Sequence, residues 1–286
     1  MLQQETQLGK ISDITSIVRK SGSSFYWAMR VLPPQKRNAM FAIYTFCREV
    51  DDIADGEDDP DTKRAKLKLW RNEISNLYNG NPGNIITNAL VGPVATYGLA
   101  RADFEAVIDG MEMDAADALR LQDMAELVLY CDRVACAVGR LSNAVFGLSG
   151  DQGNDLAKSL GEALQLTNIL RDIYEDAERD HVYLPADLLV RHGISGSSVS
   201  DIIEHPGIVE VCIELARRAE ENYQKASSII DHCDKKLIQP AIIMIKSYHL
   251  LLNLLERRGW ERLDVPVKVS KIWKLLLAAR ILIFGS

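Results

Sequence analysis

Residues 164–176 read Leu164-Gln165-Leu166-Thr167-Asn168-Ile169-Leu170-Arg171-Asp172-Ile173-Tyr174-Glu175-Asp176. Residues 41–55 read Phe41-Ala42-Ile43-Tyr44-Thr45-Phe46-Cys47-Arg48-Glu49-Val50-Asp51-Asp52-Ile53-Ala54-Asp55. Both stretches are apolar on several faces, the mark of a largely buried helix. Each nevertheless carries two aspartates at i and i+4, 51/55 and 172/176. That spacing sets both carboxylates on one side of a helix, one turn apart. Two like charges repel there, and burying either is unfavourable without a partner. A hard cation removes both problems: Mg²⁺ takes oxygen ligands and commonly uses one or two carboxylates together with substrate phosphate oxygens.

The spacing alone is common. Asp55/Asp59, Asp151/Asp155 and Asp176/Asp180 repeat it, and the first two fall in Gly-rich polar turns where solvated aspartate is unremarkable. Context separates 51/55 and 172/176 from these. Each lies on an apolar helix beside an arginine, Arg48 or Arg171, and Asn168 and Gln165 fall one and two turns before Asp172 on roughly the same side. Amides and carboxylates on one stripe of a buried helix need polar partners. Arginine binds phosphate oxygens bidentately and keeps its charge. A salt bridge from Arg48 or Arg171 to Asp51, Asp52 or Glu175 is the other reading, and both hold if the bridge forms only when substrate is absent.

Around these stretches the chain reads as a single all-helical domain over residues 1–286. Apolar residues recur at i, i+3, i+4 and i+7, with few runs of period two. Helices are expected at roughly 35–55, 62–79, 101–117, 122–148, 154–179, 207–232 and 236–258, with shorter ones over 9–30 and 84–98. Breaks are expected at Pro33-Pro34, Gly56 to Pro60, Gly80 to Gly83, Gly150 to Gly153, Gly193 to Ser198 and Pro206-Gly207. No GxGxxG follows a strand.

Composition narrows the function. The 286 residues are 47% apolar and 26% charged, an ordinary globular balance. The net charge of −7 suits metal ions or basic partners better than nucleic acid. Five cysteines, Cys47, Cys131, Cys136, Cys212 and Cys233, form no CxxC pair and read as reduced thiols of a cytoplasmic protein. The N-terminus lacks the apolar core of a signal peptide, and no uncharged apolar run approaches the roughly 18 residues of a membrane span. The tail from Val269 to Phe284 mixes apolar residues with Lys271, Lys274, Arg280 and Trp273. That mixture suits a peripheral membrane helix as well as a terminal helix packed on the core.

These motifs, in this order, resemble the squalene/phytoene synthase family of head-to-head prenyl transferases, from about Ser23 to Lys274. The blocks are Ser23-Ser24-Phe25-Tyr26, Tyr44-x-x-x-Arg48-x-x-Asp51-x-x-x-Asp55, Tyr130-x-x-x-Val134-Ala135-x-x-Val138-Gly139, Gln165-x-x-Asn168-x-x-Arg171-Asp172-x-x-x-Asp176 and Val182-Tyr183-Leu184-Pro185. The resemblance implies an all-α terpenoid-synthase fold with a central cavity. It implies a metal site of Asp51, Asp55, Asn168, Asp172 and Asp176, with catalytic roles for these aspartates and for Tyr44, Arg48 and Arg171. It implies substrate contacts from Phe25, Tyr26, Tyr130, Gln165, Asn168, His181, Tyr183 and Tyr248.

The implied reaction joins two prenyl diphosphates. One ionises with the help of Mg²⁺, the double bond of the second attacks the allylic cation, and proton loss closes a cyclopropane that keeps one diphosphate. Aromatic faces attract such a cation. Ala135, Cys136 and Gly139 stand where a prenyl chain passes close to a helix, or where two helices pack closely. His181 stands where relatives commonly carry arginine; if it touches diphosphate, binding weakens above neutral pH as the imidazole loses its charge.

Arg48 to Gly56 and Val138 to Ser142 look most like the presqualene-type branch of bacterial hopanoid pathways. That branch implies two farnesyl diphosphates as substrates and no nicotinamide cofactor. Squalene formation with NADPH, phytoene-type use of geranylgeranyl diphosphate, and a non-catalytic assembly factor are the alternatives. Both intact aspartate pairs favour an enzyme.

Overall fold

Helix follows helix along the chain because the apolar periodicity is interrupted only at Pro and Gly clusters. The computed structural model describes Ile14, Val18, residues 24–270 except Ser197, and Trp273 and Leu277. Among these residues the helices are α1 (Ser24–Arg30), α2 (Pro34–Asp55), α3 (Pro60–Tyr78), α4 (Ile85–Tyr97), α5 (Arg101–Asp114), α6 (Met124–Cys131), α7 (Ala137–Phe146), α8 (Gly150–Ala177), α9 (Ala186–Arg191), α10 (Val199–Ile203), α11 (Ile208–Asp231) and α12 (Gln239–Arg258). Pro34 and Pro60 stand at the first positions of α2 and α3, where the missing N–H costs nothing. Most of the helix expected over 9–30, and most of the tail 269–286, lie outside the described residues.

Several expectations need correction. The helix expected over 122–148 is not one α-helix: Asp132–Cys136 is π-helical, between α6 and α7. The break expected at Gly150 to Gly153 is the start of α8, entered through Gly150 with φ of +71°, so Asp151 and Asp155 are exposed on its first turns. Asp59 caps α3, its Oδ1 accepting from the backbone N–H groups of Asp61 and Thr62. The short α9 and α10 were not foreseen, since five or six residues are too few to show a period. Leu119–Arg120 (β1) and His181–Val182 (β2) form a two-residue parallel bridge in an otherwise helical architecture.

The core is built in two apolar clusters. One gathers Leu166, Leu170, Leu215, Tyr223 and Leu252 around α8, α11 and α12. The other gathers Phe41, Phe46, Leu67, Phe104 and Leu141 around α2, α3, α5 and α7. Helix α8 packs on α11 along one side and on α7 and the π-helical segment along the other. Among the described residues no helix is long and apolar enough to cross a membrane, and the five cysteines are unpaired.

Candidate active site

A cavity of about 530 Å³ lies between the two clusters, within the range of small-molecule sites. Ala28, Leu160 and Met244 line it from one cluster, Met40, Ile43 and Phe146 from the other. Helix α2 offers Met40, Ile43, Tyr44, Cys47, Arg48, Asp51 and Asp55, spaced by three and four residues as one helical stripe. Helix α8 offers Ala157, Leu160, Gly161, Leu164, Gln165, Asn168, Arg171 and Asp172. Both stripes are apolar at first and polar toward the C-terminal end of the helix, so the cavity has an apolar body and one polar end.

Those polar ends defy the ordinary preference of a helix. The C-terminus of a helix carries partial negative charge and favours cations. Here α2 and α8 have no basic residue in their last turn and end on Asp51, Asp52 and Asp55, and on Asp172, Glu175 and Asp176. Burial, and then Asp55, push Asp51 up to about 6 although Arg48 opposes the shift. Burial, and then Asp172 and Asp114, push Asp176 up to about 7. Counter-charge comes from three arginines. Arg48 reaches Asp51 at 3.0 Å and Asp52 at 2.5 Å. Arg171 grips Asp172 with Nε at 2.6 Å and with Nη2. Arg179 reaches Asp55 at 2.7 Å. Both readings of Arg48 and Arg171 therefore remain compatible: each is salt-bridged, and each lines the cavity.

Asn168 adds an unsatisfied acceptor. Its Oδ1 is buried without a hydrogen-bond partner among the described residues, while its Nδ2 donates weakly to Gln165 Oε1 at 3.4 Å. A buried carbonyl oxygen left unpaired is costly. Among the described residues no three carboxylate, histidine or cysteine side chains converge on one point. An orphaned amide oxygen lining the same cavity as Asp51, Asp55 and Asp172 fits a hard dication that is completed by ligand oxygens, the habit of Mg²⁺.

The squalene/phytoene synthase family model matches residues 18–273. The chain belongs to that family. It is 44% identical over 259 residues to the presqualene diphosphate synthase of Sinorhizobium fredii, covering 91% of this chain and 92% of the relative. It is 44% identical to that of Zymomonas mobilis, covering 96% of each. It is 32% identical to the phytoene synthase of Mycobacterium bovis, covering 92% and 87%. Among solved structures, a dehydrosqualene synthase in complex with ligand shares a TM-score of 0.82 at 27% identity, over 97% of this chain and 96% of that one. The fold is the isoprenoid-synthase fold that the motifs implied.

In this squalene/phytoene synthase chain the expected site residues divide. Tyr44, Arg48, Asp51, Asp55, Gln165, Asn168, Arg171, Asp172 and Tyr248 line one cavity. Tyr248 is half-buried and meets Arg171 and Asn168. Asp176 stands one turn beyond the lining, toward Asp114 and Arg179. Tyr26 stacks on Phe41 with ring centroids 6.1 Å apart, and the side chain of Phe25 lies outside the described residues. Tyr130 and Tyr183 pack on each other at 4.9 Å and donate to the two oxygens of Asp114, at 3.1 and 2.8 Å.

His181 is corrected most. It is 5% exposed, its Nε2 lies 3.0 Å from the Ala116 carbonyl, and burial lowers its pKa. It is therefore a neutral donor near neutral pH rather than a cation for diphosphate. Gly139 serves both readings at once: it lines the cavity, and a Cβ there would stand 3.1 Å from Ala157 Cα.

Two residues escaped the sequence reading. Asp114 occupies the buried register of α5 set by Phe104, Val107 and Met111, and an acidic residue in an apolar register is the signal that could have found it. Arg179 lies past the end of α8, where no periodicity reports on direction.

Proposed function

We propose that the protein condenses two farnesyl diphosphates head to head into presqualene diphosphate with release of diphosphate. The observation that carries the proposal is one cavity with an apolar body and a single carboxylate–arginine–amide end, in a chain 44% identical to presqualene diphosphate synthases. Ionisation breaks the C–O bond of one substrate to its diphosphate. The double bond of the second attacks the allylic cation, and loss of a proton closes the cyclopropane, which retains the second diphosphate.

Each part of the site has a task in that sequence. Asp51, Asp55, Asn168, Asp172 and Asp176 would hold Mg²⁺, which when bound offsets the negative charge gathering on the leaving diphosphate. Arg48 and Arg171 exchange their carboxylate partners for diphosphate oxygens, binding them through planar forks that cannot deprotonate. Because these donors are already placed by α2 and α8, little reorganisation is needed as charge develops. Met40, Ile43, Val138, Phe146, Leu160 and Met244 exclude the water that would trap the cation. Tyr44 and Tyr248 present aromatic surface to the same space.

Product analysis tests the proposal. Purified protein is incubated with farnesyl diphosphate and Mg²⁺, with and without NADPH, and extracts are read by mass spectrometry before and after phosphatase treatment. Presqualene diphosphate in both incubations is the expected result. Squalene only with NADPH would extend the reaction by a reduction. Consumption of geranylgeranyl diphosphate alone would replace the substrate, and inertness toward both would overturn the enzyme reading. A product with long apolar chains and a charged diphosphate head suits release at a membrane surface; flotation with vesicles, with and without residues 269–286, tests that contact.

A further inference from the structure

Arg179 joins the two aspartate-bearing helices. It lies in the turn after α8 and reaches back to Asp55 on α2, 124 residues away, with Nη1 2.7 Å from Oδ1. Arg48 and Arg171 each pair with an aspartate of their own helix; Arg179 pairs with a cavity-lining aspartate of the other helix. The pair is half open to solvent, with side chains 39% and 48% exposed. An ion pair so exposed contributes little to stability and exchanges partners readily.

The turn that presents Arg179 is held firmly. Asp180 takes a left-handed backbone with φ of 57°, rare outside glycine. Arg120 clamps it from β1, with Nη1 donating to the Asp180 carbonyl and Nη2 to Oδ1, both at 2.5 Å. The Leu119 N–H donates to the same carbonyl at 3.2 Å. Two residues past Arg179, His181 is buried and bonded to the Ala116 carbonyl. Of these two basic side chains beside the second aspartate motif, only Arg179 brings a permanent charge to a cavity-lining aspartate.

We infer that Arg179 is a diphosphate-binding residue, positioned by the Arg120–Asp180 clamp. Resting on the reading of this end of the cavity as a diphosphate site, the inference adds an exchange. With the site empty, Arg179 neutralises Asp55. When diphosphate arrives, the guanidinium moves to a phosphate oxygen and Asp55 is released to a cation. Arg179 therefore competes with cation binding in the absence of diphosphate and supports diphosphate binding in its presence.

The opposed signs make the test. The probes are inorganic pyrophosphate with Mg²⁺, by calorimetry, and Mn²⁺ alone, by electron paramagnetic resonance, on the full chain. Arg179→Gln is expected to weaken pyrophosphate binding roughly 10- to 100-fold, the cost of losing a hydrogen bond to a charged group. The same variant is expected to bind Mn²⁺ alone at least as tightly as the wild type. Arg179→Lys should recover part of the pyrophosphate affinity, and Arg120→Gln should lower it by loosening the turn. Unchanged pyrophosphate affinity in a folded Arg179→Gln protein, or loss of pyrophosphate and Mn²⁺ binding together, overturns the inference and leaves a structural latch. A wild type that binds no pyrophosphate overturns the diphosphate-site reading itself, a distinguishable failure.

Discussion

The phenol of Tyr183 donates a 2.8 Å hydrogen bond to Asp114, 69 residues earlier in the chain. Tyr130 donates to the other carboxylate oxygen. Burial outweighs both bonds and pushes Asp114 up to about 7. Its value in the unfolded chain is about 3.9, so between the two values the folded protein holds a proton that the unfolded chain has lost. Stability from this group is fully present below about pH 4 and is lost as pH rises through about 7. Asp114→Asn removes that dependence. On lowering the pH from about 8 to about 5, the wild type should gain at least about 1 kcal/mol on the variant in urea unfolding. A difference that stays constant with pH would contradict the assignment.

Asp51→Asn and Asp172→Asn should separate activity from stability. Each removes a carboxylate from the polar end of the cavity, and turnover should fall by at least about 100-fold. Asp51 is held up near 6 by burial and by Asp55, so its neutral replacement relieves repulsion in the metal-free protein. For Asp51→Asn the melting temperature without metal should be unchanged or higher. Full turnover in either variant would remove the metal-site argument.

His181→Gln should leave the KM for prenyl diphosphate unchanged, because the imidazole faces the Ala116 carbonyl and not the cavity. Its cost belongs to the fold, about 1 kcal/mol for the lost bond. Burial favours the neutral ring, so this residue's contribution to stability is present above about pH 6.5 and is lost as pH falls through its lowered folded value. Steady-state kinetics and denaturant unfolding on the same variant check both halves. A raised KM with unchanged stability would restore the diphosphate role first expected for this position.

Gly161→Ala tests how α8 is seated. A Cβ at Gly161 would stand 2.8 Å from both Cα and N of Cys136, so α8 and the π-helical segment must part. Overpacking of this kind typically costs 1–3 kcal/mol, and about that loss is expected in denaturant unfolding. Gly161, Val134 and Ala135 all line the cavity, so substrate affinity should fall as well. An alanine variant of wild-type stability would show that the contact yields.

The sequence by itself determined the helical class, the two aspartate stripes and their arginines, and the family. These are local properties: a 3.6-residue period places Tyr44, Arg48, Asp51 and Asp55 on one side of α2 wherever that helix packs, and likewise Gln165, Asn168 and Asp172 on α8. The π-helical turn at Asp132–Cys136 was hidden because apolar spacing does not distinguish it from an α-helical turn, and the close seat of α8 on it at Gly161 is a contact across distant residues. The division among the tyrosines was hidden too, since Tyr248 meets Arg171 while Tyr130 and Tyr183 meet Asp114 only once distant helices are packed. The same holds for His181, turned inward by the β1–β2 bridge, and for Arg179, aimed at Asp55 by a turn outside any helix. Only the tertiary structure decided these, because a side chain's partner across tens of residues is set by packing and burial, on which helical periodicity is silent.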